Sequence, residues 1–115
     1  RTLRARGAEF ILNPTATAVF SPHHKYHEIH RCVQRAQAYL NGVFWASCNA
    51  ANHGGHSVVL APDGTVLAEA PGKQSLLVCD LDPKRHGRYD FVSNLRPGLY
   101  AFEKDSRRRR RKKSS

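Results

Sequence analysis

The sequence predicts an α/β fold in a single domain, on three observations. Apolar residues recur at helical spacing from Ile29 to Leu40, a continuous apolar run VFWASC begins at Val43, and two β-rich segments flank Pro62-Asp63-Gly64. With 115 residues and 40% apolar content, the chain can bury one modest core. It starts at Arg1 and contains no methionine, so it is expected to be a piece of a longer polypeptide.

Residues 1–8 carry Leu3 among arginines and end at Gly7-Ala8, as the last turns of a helix with a glycine stop do. The run EFILN is a short buried strand, closed at Asn13-Pro14 because the residue before proline is forced extended and proline removes a ladder donor. Ser21 offers an N-cap hydroxyl and Pro22 occupies the first helical position, where its missing N–H costs nothing. In the helix that follows, Ile29, Val33, Ala36 and Leu40 form a stripe that Cys32 and Tyr39 broaden; its inner face is expected to lie on apolar partners. Asn41-Gly42 supplies the left-handed exit.

Residues 43–49 are too uniformly apolar for a strand with one wet face, so they predict an interior strand covered on both sides. HSVVLAPDGTVLAEA reads as a hairpin, with glycine at positive φ in its turn. SLLVCDL predicts a further strand. Beyond Pro83 the sequence turns polar and irregular, and from Ser106 it cannot form a core. The expected organisation is one domain over residues 1–105 and a basic, disordered tail over 106–115.

The formal charge of +10 points to nucleic acid until it is located. The block Arg107–Lys113 holds seven of the nineteen basic residues, so ten minus seven leaves a body of only +3. No aromatic residue is interleaved with that block to stack on bases, and a solvated tail is the preferred reading. No run approaches the roughly 18 apolar residues of a membrane helix. Cys32, Cys48 and Cys79 are odd in number, widely spaced and set among apolar neighbours, unlike a secreted disulfide framework, which predicts a reducing cytoplasm.

Two constellations could carry chemistry. His23, His27 and His30 fall on one helical face, which allows a metal site, but HEIH misses the zinc-protease motif by one residue and puts Glu28 off the ligand face. An exposed polar turn without metal is expected, and no cofactor is implied. Cys48 would need a positive helix terminus or an imidazolium to act as a nucleophile. Burial in an interior strand predicts an inert thiol instead, although His53 and His56 sit in a nearby glycine-rich loop.

Five segments in order, RTLRARGAEFILNPTA, RAQAYLNGVFWASCNA, GGHSVVLAPDGTVLAEA, LLVCDLD and LRPGLY, together resemble the latter part of the carbon-nitrogen hydrolases, the nitrilase superfamily. The likeness runs from Arg1 to about Tyr100, with Arg1, Leu3, Gly7 and Ala8 on the family's pattern before a strand. It implies the C-terminal half of a four-layer α-β-β-α sandwich. It also implies that the catalytic glutamate, lysine and cysteine lie ahead of Arg1, so that no catalytic residue is in this chain and Cys48 matches an interior-strand position. In that chemistry the carboxylate takes the thiol proton, the thiolate attacks an amide or nitrile carbon, and the ammonium faces the developing negative charge.

The same resemblance implies that these residues wall the pocket. Asn13, Pro14 and Thr15 lie at the outgoing end of a strand, where ligands of α/β sheets collect, and Asn49 matches an asparagine common after the next strand. They are the candidate substrate-binding residues, against the plainer reading in which Asn13 and Thr15 bond their own backbone and Asn49 pins the following loop. His30 stands where relatives commonly have an aromatic residue and Leu40 where they have glutamate, so no one substrate branch is favoured. The expected partners are an amide, carbamoyl or nitrile substrate and further copies of the chain, with no membrane; nucleic acid would enter only through the tail. The rival classes are a small basic module binding nucleic acid or an acidic partner, and a degenerate relative kept as a structural subunit.

Overall fold

In the computed structural model, residues 1–16 and 25–90 are described. Their elements run α1 (Thr2–Ala5), β1 (Phe10–Thr15), α2 (Lys25–Asn41), β2 (Phe44–Asn49), β3 (Val58–Leu60) and β4 (Val66–Glu69), with a 3-10 turn at Ala51–His53. The four strands form one sheet in the order β1-β2-β3-β4. β1 and β2 are parallel, from Phe10 opposite Phe44 to Thr15 opposite Asn49, and α2 is the crossover between them. β2–β3 and β3–β4 are antiparallel.

The helix ends and turns follow their local chemistry. α1 closes through Gly7 N–H to Arg4 carbonyl (2.9 Å) and Ala8 N–H to Leu3 carbonyl (3.0 Å). α2 leaves through Gly42 at φ +57, where an added Cβ would also stand 2.5 Å from the Tyr89 carbonyl oxygen. The hairpin turns at Pro62-Asp63-Gly64, with Gly64 at φ +82 and the Thr65 N–H donating to Asp63 Oδ1 (2.9 Å). β1 runs on through Pro14 to Thr15, two residues beyond the stop that the sequence predicts. Being the edge strand, β1 tolerates the missing donor.

Side-chain alternation divides the sheet into two unlike faces. On one, Trp45, Val58 and Leu60 pack with Ala38 of α2 to form the small core. On the other, Phe10, Leu12 and Pro14 lie beside Phe44, Ala46 and Cys48, and Leu12 is 72% exposed. Cys48 is therefore exposed rather than buried, which corrects the sequence expectation. Its strand is interior in order, but on this face the described residues cover Phe44, which packs edge-on against His86, and leave Cys48 open.

A second correction concerns α2. The stripe Ile29, Val33, Ala36 and Leu40 does not face the sheet: Ile29 and Val33 are 54% and 52% exposed. The inward face is instead His27, Arg31, Gln34, Ala38 and Asn41, at the same helical spacing but mostly polar. Arg35 Nε ties the helix to the Gly64 carbonyl of the hairpin turn (2.8 Å). Residues 75–81 make no strand, and Leu76 and Val78 are 88% and 79% exposed. The predicted helix start at Ser21-Pro22, His23, His24, LRPGLY and the 106–115 tail lie outside the described residues.

Candidate functional site

The carboxyl ends of β1 and β2 meet in register at Thr15 and Asn49. Strand alternation sends Asn13, Thr15, Ser47 and Asn49 to the face that α2 covers. There the polar helix face meets them. Gln34 Nε2 donates to Ser47 Oγ (3.0 Å), and Asn13 Nδ2 lies 3.4 Å from the same oxygen. Ser47 is buried, so this hydroxyl satisfies two amides inside the layer.

Asn49 fixes the loop that follows. Its Nδ2 donates to the Gly55 carbonyl (2.9 Å), and its backbone N–H donates to Ser57 Oγ (3.0 Å). Ala50 N–H returns to the Thr15 carbonyl (3.2 Å), tying the two strand ends together. The result is a recess over Thr15, Ser47 and Asn49, bounded by Gln34 and Arg31 of the helix and by His27 and His56.

The rim of that recess is charged. Arg31 Nη2 donates to the His56 carbonyl (2.9 Å) and to Glu69 Oε1 (2.7 Å), while its Nη1 donates to Gln34 Oε1 (2.8 Å). His27 Nε2 lies 3.4 Å from the same Glu69 oxygen, and the His27 and His56 rings are 4.3 Å apart between centroids. Burial pushes the His27 imidazolium below its ordinary value of 6.5; the neighbouring His56 and Arg31 charges act the same way, and Glu69 opposes them. Among the described residues, donor atoms of His27, His56 and Glu69 all come within 4.8 Å of one another.

Of the four candidate residues, Asn13, Thr15 and Asn49 thus share one face at the strand ends. Pro14 stands on the opposite, open face, beside Cys48. Among the described residues, no hydrogen bond joins the Cys48 sulfur to an imidazole. Sequence reasoning placed His27 with His23 and His30, and it did not find the meeting of His27 with His56 and Glu69. Those three come from α2, a loop and β4, and the only early signal was hairpin register, which puts Glu69 opposite Val58, two residues from His56.

Comparison with known proteins decides the family. The carbon-nitrogen hydrolase family profile matches residues 1–91. This chain belongs to the carbon-nitrogen hydrolases. A curated relative, the hydrolase in the pqqF 5′ region of Pseudomonas protegens, is 32% identical over 110 residues, covering 87% of this chain and 37% of that protein. Among solved structures, an amidase from Nesterenkonia sp. AN1 matches at TM-score 0.64 and 32% identity, over 84% of this chain and 35% of that one. A carbon-nitrogen hydrolase from Helicobacter pylori G27 matches at TM-score 0.59 and 19% identity, over 89% and 39% of the two chains, a likeness of fold. The four-stranded α/β unit is therefore part of a nitrilase-fold sandwich, and it spans little more than a third of the relatives it matches.

Proposed function

We propose that these residues form one wall of the substrate pocket of a carbon-nitrogen hydrolase that acts on an amide, carbamoyl or nitrile group through a cysteine thioester. The supporting observation is the convergence of Asn13, Thr15 and Asn49 at the outgoing ends of two parallel strands, where α/β sheets take their ligands. Pro14 closes the same strand end from the other face. In the similar Nesterenkonia amidase, one structure holds an acetamide moiety on the active-site cysteine and another holds butyramide. By that likeness the substrate here is a small amide.

The wall orients substrate but supplies neither the base, the nucleophile nor the ammonium. Alone, residues 1–115 are inactive and need no cofactor. In the assembled enzyme the thiolate adds to the amide carbon, the C–N bond breaks with release of the amine, and water cleaves the thioester. Joined behind the amino-terminal part of the Nesterenkonia amidase, the chain should give an enzyme in which Asn13→Ala and Thr15→Ala raise KM about tenfold with kcat changed less. Unchanged KM in both would remove them from the pocket.

Further copies of the chain are the expected protein partner, through the outward apolar stripe of α2. Among the described residues no helix is long and apolar enough to cross a membrane. The cytoplasm remains the proposed location. Contact with nucleic acid is assigned to Arg107–Lys113 alone: retention on a single strand should fall with salt with a log–log slope near −5, about 0.7 per neutralised phosphate for seven charges. Retention that survives deletion of this block would favour the basic-module reading.

A further inference from the structure

The three side chains at the rim of the recess have the composition of a metal site, two imidazoles and one carboxylate. They arrive from α2, the loop before β3, and β4, and Arg31 of α2 bonds the other two. His27 is fixed by α2. His56 adopts φ +59, a left-handed conformation uncommon outside glycine, and its surroundings constrain it there. That constraint is visible: His56 N–H donates to the Pro71 carbonyl (3.3 Å), its carbonyl accepts from Arg31, and the preceding Gly55 carbonyl is held by Asn49. Gly72 leaves the room for its ring, since a Cβ there would stand 2.9 Å from His56 Nε2. His56 Nδ1 is thereby turned toward Glu69 Oε1, at 3.8 Å.

The donor spacing suits a small cation. Ligands about 2.1 Å from a tetrahedral zinc ion stand about 3.4 Å from one another. His27 Nε2 and Glu69 Oε1 already lie 3.4 Å apart, and no pair of the three donors exceeds 4.8 Å. His27 Nε2 is shut off from solvent, and its contact with Glu69 Oε1 is not aligned as a hydrogen bond. Arg31 grips the Glu69 carboxylate as hydrogen-bonding neighbours of metal ligands commonly do, and its positive charge makes the centre a weak, exchangeable one.

We propose that His27, His56 and Glu69 form a binding site for a divalent first-row metal of the zinc class, with a fourth position open toward the recess. Two imidazoles with one carboxylate favour such an ion over magnesium or calcium, which prefer all-oxygen sets. The proposal rests on the positions of these three side chains and not on the thiol chemistry proposed above.

The test is equilibrium dialysis of the metal-stripped full chain against Zn2+, with the visible spectrum of the Co2+ form as a second readout. The expected result is a single equivalent of zinc per chain, with cobalt bands of four-coordinate intensity. His27→Ala and the isosteric Glu69→Gln should each weaken binding about tenfold or more. His56→Asn, which tolerates the left-handed backbone, should do the same. Cys48→Ser, Cys32→Ser and His53→Ala should leave binding and spectrum unchanged. Absence of zinc binding to the unaltered chain would overturn the proposal, as would binding that survives His27→Ala and Glu69→Gln, or a loss that follows one of the three control substitutions.

Discussion

At the scale of single residues, environment overrides residue type at Cys48 and His27. Cys48 sits in a run of apolar neighbours, yet its thiol is exposed because it shares the open face of the sheet with Leu12 and Pro14. A thiol in water with no imidazole bonded to it lacks the activation a nucleophile needs. His27 is the reverse case, a polar residue of a histidine-rich turn that the helix carries inward. In the metal-free chain its NMR titration midpoint should lie below 6.5, because burial and the His56 and Arg31 charges disfavour its protonated form. The folded state then binds fewer protons than the unfolded state in the window below 6.5, so this group's contribution to stability is full above that pH and is lost as pH falls through the folded value. A midpoint above 6.5 would mean that the Glu69 carboxylate outweighs burial.

At the scale of elements, the local signals were legible and the orientation of elements was not. The glycine exits at Gly7 and Gly42 and the turn at Pro62-Asp63-Gly64 each rest on one residue's backbone freedom, which the sequence states directly. The inward face of α2 depends on what the sheet offers, and here it offers Ser47 and Glu69, so Gln34 and Arg31 outcompete Ile29 and Val33 for the interface. The strand expected at 75–81 required a neighbouring edge that no local pattern can announce. The inversion of α2 has a measurable consequence. Ala38→Leu, at a position with no exposed surface against Val58 and Leu60, should destabilise the chain by about 1–3 kcal/mol through overpacking. Val33→Glu, on the outward stripe, should change stability by no more than about 0.5 kcal/mol while weakening self-association. Chemical denaturation and sedimentation separate the two, and a large stability loss from Val33→Glu would place that stripe inside.

At the scale of the whole molecule, the described fold is a sheet with a helix on one side and uncovered apolar side chains on the other. Leu12 on that open face is the kind of side chain a second layer buries, as the four-layer sandwich implied by the family resemblance provides. The candidate recess lies on the helix-covered face: Thr15 and Asn49 of its floor are placed by the strand ends, whereas Ser47 and the His27–His56–Glu69 rim needed three elements to be placed in space. The segments RTLRARGAEFILNPTA, RAQAYLNGVFWASCNA and GGHSVVLAPDGTVLAEA carry the fold class into the described structure through their helix exits, strands and turn, whereas LLVCDLD forms no strand.

The most direct test of this account is ammonia release from a small amide such as acetamide. It would be measured on residues 1–115 alone, and on the same residues preceded by a related amino-terminal segment bearing the glutamate, lysine and cysteine. The account predicts no release from the chain alone and turnover from the joined form, abolished when the added cysteine is replaced by alanine. Turnover by the chain alone, lost on Cys48→Ser, would show that this half carries its own nucleophile and would contradict it.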